Sequence, residues 1–263
     1  MASLRNSFTV LNLRACVVGE TNPIVSGLVW RVLRENLKAT HFSERLQLIA
    51  LSSGGVVEFI LEPGLYLVHV AYGFSHVGAR FNLAKEDRRT ETLYLNVGGL
   101  KLMSRLVGDK PIPKSLMRFD ILALYSDASG EDKVIVSNAE PAKIIRLNAD
   151  RYRVVAHYGD INVVSRAEIH VRPGKLTEAT IYHKAAKVTL KLVSSRSRAA
   201  LANVSWQLFS KTGEELKKVV GAYPVVILSE GGYTVVARHR ADVYRRSFSV
   251  ESGYDQSIII KAE

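Results

Sequence analysis

One short phrase occurs three times in this chain of 263 residues: a leucine, a tight turn, and a tyrosine that opens an alternating strand. The tyrosines are Tyr66, Tyr152 and Tyr233, so they stand 86 and 81 residues apart. That spacing equals the length of one small β-sandwich and exceeds the length of a helical repeat or a propeller blade. The phrase therefore predicts three tandem units of similar fold.

The similarity continues on both sides of each tyrosine. Fifteen and seventeen residues downstream, each unit has apolar or small residues of shared parity, which predicts a second strand with the same face inward. Upstream, an aromatic-polar-aliphatic triplet begins at Trp30, Phe119 or Trp206. We assign Trp30 and Trp206 a structural role.

The predicted architecture is all-β, with three tandem Greek-key β-sandwich domains at residues 1–97, 98–186 and 187–263. Val, Ile, Thr and Tyr are plentiful, and helical periodicity is scarce. The best helical candidates are residues 34–48 and 211–219, and we interpret the first as an elaborated loop or a brief helix. The links between units lack a Pro/Ser-rich composition, which predicts units that touch each other.

The repeated tyrosine has a physical reason to stand at the start of its strand. In Greek-key sandwiches, a tyrosine at this place packs over the corner, and its hydroxyl bonds to a backbone group a few residues upstream. We assign this structural role to Tyr66, Tyr152 and Tyr233. Loss of the hydroxyl is expected to lower stability without altering the fold.

The phrase is complete at residues 61–68, and a Pro173-Gly174 turn follows a strand in the second unit. In these features the chain resembles the immunoglobulin-like and prealbumin-like β-sandwich repeats of bacterial envelope proteins, with carboxypeptidase-regulatory-like and PEGA-type domains as the nearest members. The strand at Val204-Ser-Trp206 is similar to fibronectin type III modules. The resemblance implies a non-catalytic structural or binding module at the cell envelope, with a protein or glycan partner. An accessory module of a hydrolase is an alternative that would need a catalytic partner chain.

The N-terminal residues are interpreted as the first strand of the first unit. An apolar start at Phe8 suggests a signal peptide, but Asn12 and Arg14 interrupt it and no small-residue cleavage site follows. We expect a periplasmic or envelope protein if a signal was removed before this numbering begins, and a cytoplasmic protein stays an alternative. No run approaches the roughly 20 apolar residues of a membrane span, so no transmembrane segment is predicted.

The chain is strongly basic, with 36 Lys and Arg against 25 Asp and Glu and a net charge of +11. The excess is spread over all three units without a basic tail. Such a distribution favours contact with an anionic surface, for example nucleic acid, lipopolysaccharide, acidic glycan or lipid headgroups. It does not distinguish among these partners.

An arginine recurs at a similar place in each unit. Arg80 and Arg166 stand fourteen residues after their tyrosines, and Arg246 stands thirteen after, beside Arg245. We expect them at the same end of each sandwich, as a row that binds a polyanion. The simpler interpretation is solvated charge that keeps strand edges from aggregating. Nucleic acid is the less favoured partner, because no RRM, KH or OB signature accompanies the charge.

The usual enzyme motifs are absent from the sequence. It contains no nucleophile elbow, P-loop, dinucleotide fingerprint or zincin motif, so we predict neither enzyme activity nor a cofactor. His69, His157 and His239 occupy non-equivalent positions in the repeat, which argues against a shared metal site.

Two acidic pairs and one cysteine complete the candidates. Glu86-Asp87 and Glu131-Asp132 could ligate calcium, but no further oxygen ligands are evident, and we interpret them as solvated loop acids. Cys16 is the only cysteine, so the chain has no internal disulfide. We expect a buried, inert thiol near the end of the first strand.

Overall fold

The computed structural model describes residues 8–39, 41, 45–126, 132–196 and 199–262. These residues form β-strands almost throughout, and none of them lies in an α-helix; a short 3-10 turn spans Lys114–Leu116. The all-β prediction is confirmed. Within this part of the chain, no helix is long and apolar enough to cross a membrane.

The first strand set contains seven strands in two sheets. They are β1 (Thr9–Val17), β2 (Val29–Glu35), β3 (Leu46–Ser53), β4 (Val57–Leu61), β5 (Gly64–Tyr72), β6 (Ser75–Leu83) and β7 (Arg88–Leu95). The smaller sheet has the order β4-β1-β7, and the larger has the order β3-β2-β5-β6. β1 runs antiparallel to β4 and parallel to β7, whereas the larger sheet is antiparallel throughout.

The second strand set repeats this connectivity with one short strand added. Its strands are β8 (Val97–Leu106), β9 (Lys110–Pro111), β10 (Met117–Ser126), β11 (Asp132–Ala139), β12 (Ile144–Asn148), β13 (Arg151–Tyr158), β14 (Val163–His170) and β15 (Leu176–His183). The sheets have the orders β12-β8-β15 and β11-β10-β13-β14, and β9 pairs with β8.

The third strand set again has seven strands. They are β16 (Ala185–Ser194), β17 (Ser205–Ser210), β18 (Glu215–Val220), β19 (Val225–Ser229), β20 (Gly231–His239), β21 (Asp242–Val250) and β22 (Gln256–Ala262). Its sheets have the orders β19-β16-β22 and β18-β17-β20-β21, with β16 parallel to β22. A single residue, Asn96 or Lys184, separates the last strand of one set from the first strand of the next.

Burial alternates along the strands, as a period of two requires. In β1, Leu11, Leu13 and Ala15 are fully buried, while their polar neighbours are not. They pack with Trp30 and Tyr66 into the core of the first set. The third set has a core of the same kind, which includes Leu190, Leu192, Trp206, Leu208 and Tyr233.

Neither helical candidate contains a helix in its described residues. Across residues 34–48, β2 ends at Glu35 and β3 begins at Leu46; residues 40 and 42–44 lie outside the described part of the chain. Across residues 211–219, a turn leads into β18.

The chain forms two compact units, and their limits differ from the predicted domain boundaries. The first unit combines the first strand set and the start of β8, through Lys101, with Ile144–Tyr152 and Ile169–Glu178. The second combines Leu102–Lys143 and Arg153–Glu168 with the described residues from Ala179 onward. The strands of the second set are thus divided between the units, and the three-domain division stays a prediction.

Candidate interaction surfaces

The three repeated tyrosines are almost completely buried, and they lie at the start of the equivalent strands β5, β13 and β20. Each hydroxyl donates a hydrogen bond to the carbonyl oxygen four residues upstream. The bonds join Tyr66 to Glu62 (2.9 Å), Tyr152 to Asn148 (2.9 Å) and Tyr233 to Ser229 (2.8 Å). Each bond therefore closes the turn between the fourth and fifth strands. Burial raises the pKa of the Tyr66 hydroxyl, so that it stays a donor.

The two tryptophans lie at equivalent places on β2 and β17, and both are buried. Nε1 of Trp206 donates to the carbonyl oxygen of Gly221 at 2.9 Å. Nε1 of Trp30 is buried without a hydrogen-bond partner among the described residues. Both rings fill cores, and neither lines a surface.

The candidate anion-binding arginines lie within strands and not at the sandwich ends that their spacing suggested. Arg80 is on β6, Arg166 is on β14, and Arg245 and Arg246 are on β21; each strand is the outermost of its larger sheet. Arg80 pairs with Glu35 at 2.7 Å, and Arg246 donates to the carbonyl oxygen of Ile259. Arg166 and Arg245 form no ion pair with any residue that the structure describes.

The hairpin of β20 and β21 concentrates positive charge. Arg238, Arg240, Arg245 and Arg246 are all exposed there. Asp242 is the single acidic residue between Gly231 and Val250. This hairpin is therefore a clearly basic surface, and the arginine row along the three sets stays a prediction.

One buried histidine, His183, was not predicted from the sequence. His183, at the end of β15, is fully buried; its Nδ1 lies 3.0 Å from Oγ of Ser165, and its Nε2 lies 3.3 Å from Oγ of Ser104. Burial, reinforced by the charge of His157, lowers the pKa of His183 to about 4. The imidazole is therefore neutral near pH 7. Its sequence position, beside a predicted boundary, gave no sign that serines on β8 and β14 would lie against its ring.

The other histidines do not form a metal site. Nε2 of His157 lies 3.0 Å from Oδ2 of Asp120. Burial would raise the pKa of the Asp120 carboxyl, but hydrogen bonds from Asn138, His157 and Ser137 lower it. The rings of His69 and His76 lie 5.4 Å apart, and burial lowers the pKa of His69. Among the described residues, no group of three or more His, Cys, Asp or Glu side chains could hold a metal ion.

The remaining candidates have local roles. Asp87 forms an ion pair with Arg89 at 2.5 Å. Glu131 lies outside the described residues. Cys16 is buried near the end of β1, and its thiol lies 3.6 Å from the carbonyl oxygen of Thr21.

A glycine turn makes a close contact inside the first compact unit. The turn between β5 and β6 packs against β12, an edge strand of its sheet. A Cβ atom on Gly73 would lie only 2.9 Å from the Cβ of Arg146. The N–H of Phe74 donates to the carbonyl oxygen of Arg146 at 2.9 Å, and Oγ of Ser75 donates to Oδ1 of Asn148 at 2.7 Å.

A second glycine turn makes the corresponding contact inside the second compact unit. The turn between β13 and β14 packs against β19, which is also an edge strand. A Cβ atom on Gly159 would lie 3.1 Å from the Cβ of Ile227. The side chain of Asn162 accepts from the N–H of Ser229 at 3.1 Å and donates to the hydroxyl of Tyr233 at 2.8 Å.

The two contacts use equivalent positions. Gly73 and Gly159 each stand seven residues after their tyrosine, and both have a left-handed backbone, with φ of 65° and 71°. Arg146 and Ile227 each stand six residues before theirs. In both cases the turn also forms a hydrogen bond with a backbone group of the edge strand. On an uncovered edge, that backbone group would be left to solvent. We call these two contacts the glycine-turn junctions.

An open polar cleft lies beside the second junction. Its volume is about 440 Å³, and Ser165, Tyr182, Lys184 and Glu230 are among the residues that line it. The Tyr182 side chain is half exposed. The cleft offers an aromatic ring and several hydrogen-bonding groups to a small polar ligand.

Comparison with known families gives one match, which covers the third strand set. A family model described as the Rhizobiales growth-associated tandem repeat domain matches residues 187–262. This range falls within the predicted third domain. Curated protein sequences include none that matches the chain.

Solved structures that match the chain include two pilins and a Bacillus anthracis protein. The streptococcal ancillary pilin is 12% identical, with coverage of 97% of this chain and 99% of that chain, at a TM-score of 0.32. The minor pilin of Streptococcus agalactiae is also 12% identical, with coverage of 66% and 95%, at a TM-score of 0.35. The Bacillus anthracis TIE protein is 15% identical at a TM-score of 0.28; the match covers 97% of this chain and half of that one. The comparisons indicate no catalytic family.

Proposed function

We propose that the protein is a non-catalytic structural and binding module of the bacterial cell envelope, built from three tandem β-sandwich domains at residues 1–97, 98–186 and 187–263. The observation that carries this proposal is the pair of glycine-turn junctions. A chain that uses equivalent positions twice to pack a turn on an edge strand is organised as an array, in which each repeat contacts its neighbour. The family match to a tandem repeat domain supports the same organisation.

The proposed role is to space and present surfaces toward protein or glycan partners. Hydrogen bonds within the fold engage the buried tyrosine hydroxyls, Nε1 of Trp206 and the ring of His183, so that no catalytic task is assigned to them. The cleft lined by Tyr182 and Lys184 offers a place for a sugar. Membership of the carboxypeptidase-regulatory-like or PEGA-type families belongs to this proposal.

Cell fractionation and binding of the full chain test the envelope assignment together. We expect antibody to the protein to detect it in the envelope fraction of the encoding bacterium, and we expect the purified chain to bind isolated envelope. Tyr182→Ala should weaken binding to envelope glycan, whereas Tyr94→Phe, an exposed change on β7, should not. Recovery in the cytosol with no affinity for envelope would overturn the assignment.

A second candidate function is polyanion binding by the basic hairpin. Four exposed arginines on β20, on β21 and in the turn between them favour it, because nearby positive charges attract phosphate or acidic sugar and release counterions. The double change Arg245→Glu and Arg246→Glu should lower retention on heparin and reduce the slope of log affinity against log salt by about two. The matched control, Arg172→Glu with Lys175→Glu, changes the charge equally at another exposed turn. Equal retention of both variants would remove the hairpin as the site.

A further inference from the structure

The turn of the third set differs from the other two in sequence but not in backbone. Arg240 stands seven residues after Tyr233, at the position of Gly73 and Gly159. Its φ of 57° matches their left-handed conformation, which an arginine rarely adopts. Arg240 and the two residues that follow it, Ala241 and Asp242, are exposed, so this turn lies at a surface.

The first set has an edge strand on which no glycine turn packs among the residues that the structure describes. Ile60 on β4 stands six residues before Tyr66, at the position of Arg146 and Ile227. Its side chain is 63% exposed, and β4 is an edge strand, as the two covered strands are. Exposed Glu58 and Glu62 flank this apolar side chain. The first set therefore presents the receiving half of a junction without a turn on it.

The third turn is a poor occupant for this receiving strand. Both junctions are tight at the glycine, since a Cβ would lie 2.9 Å from Arg146 in one and 3.1 Å from Ile227 in the other. Arg240 would bring a whole side chain into that space. In addition, Asp242 stands at the position of Ser75, which donates to Asn148. The residue equivalent to Asn148 in the first set is Glu62, which already pairs with Arg34 at 2.9 Å, so Asp242 would bring a second carboxylate to this place.

We propose that β4 of the first set is a docking surface for the glycine turn of another repeat of this kind, and that Arg240 keeps copies of this chain from filling it. The inference rests on the proposed array function, and it specifies the kind of partner that the array binds. That partner carries glycine at the left-handed position of the turn and a neutral or basic residue two positions later. Its turn covers Ile60 and forms a hydrogen bond with a backbone group at the edge of β4.

Transfer of the first turn into the third tests the proposal with the full chain. The grafted variant combines His239→Tyr, Arg240→Gly, Ala241→Phe and Asp242→Ser, and thereby copies the residues Tyr72 to Ser75. The turn and the receiving strand are different surfaces, so their contact is head-to-tail and adds copies without closing. Light scattering between about 1 μM and 1 mM should show a constant mass for the parent and a mass that rises at least about twofold for the graft.

Two control variants separate this contact from general stickiness. One adds Ile60→Glu to the graft and removes the receiving surface; the other keeps Arg240 and carries the remaining three changes. Both should stay monomeric. A graft of constant mass, association that survives Ile60→Glu, or association in the presence of Arg240 would each overturn the proposal.

Folding of the graft is measured by its unfolding midpoint, which should equal or exceed that of the parent, because glycine relieves the left-handed arginine. Should the four-residue graft unfold, Arg240→Gly with Asp242→Ser provides the same test with less change. A graft that stays monomeric leaves the envelope assignment intact, since that is measured on the parent chain. Conversely, a parent chain that fails to bind the envelope would not change the result for head-to-tail association of the graft.

Discussion

At the scale of single residues, the buried hydroxyl of each repeated tyrosine closes a turn. Substitution by phenylalanine leaves a carbonyl oxygen without its donor and should lower the free energy of unfolding by about 1–2 kcal/mol. Tyr233→Phe should cost most, because its oxygen also contacts Asn162 and the hydroxyl of Ser229, each at 2.8 Å. Chemical denaturation measures the loss, and Tyr94→Phe, which is exposed, is the control. Stabilities equal to that of the parent would show that these bonds contribute nothing.

His183 predicts a dependence of stability on pH. Its pKa in the folded protein is about 4, below the ordinary value of 6.5, so the unfolded chain binds a proton that the folded chain does not. The contribution of neutral His183 to the free energy of unfolding is fully present above pH 6.5, and it should be lost as the pH falls from 6.5 to about 4. His183→Gln should flatten this part of the stability profile, leaving a smaller slope from His69, whose pKa is also lowered. Denaturation curves across the window with unchanged slope in the variant would contradict the assignment.

At the scale of elements, each glycine turn is both a backbone conformation and a close contact. Gly159→Ala should destabilise the protein by about 2–3 kcal/mol, because it adds left-handed strain and a Cβ beside Ile227. Gly213→Ala is the matched control, since Gly213 has φ of 88° and nothing within 4 Å of its added Cβ. The control should lose only about 1 kcal/mol. Equal losses would show that packing at the junction adds no stability.

The sequence predicted which face of a strand is buried better than how strands pair. A period of two marks Leu11, Leu13 and Ala15 as one face, and they are buried together. The same pattern does not report strand direction, so the parallel pairing of β1 with β7 was not foreseen. The spacing of Arg80 from Tyr66 likewise predicts that Arg80 belongs to the next strand, but it does not predict whether Arg80 lies at the end or in the middle of that strand.

The junctions were beyond reach of sequence patterns for a physical reason. Gly73 and Gly159 read as ordinary turn glycines, and the residues they touch lie about 70 positions later in the chain. Only the close approach to Arg146 and Ile227 shows that a second constraint, absence of a Cβ, acts at each position. His183 was missed similarly, because its serine partners come from two other strands.

At the scale of the whole molecule, the central claim is that the chain is an array of three domains. Force spectroscopy of the full chain, pulled from its ends, tests it most directly. Three domains of about 80 residues should unfold in three steps, each releasing about 280 Å of contour length at about 3.5 Å per residue. One step of the whole chain, or two steps that follow the two compact units, would contradict the account.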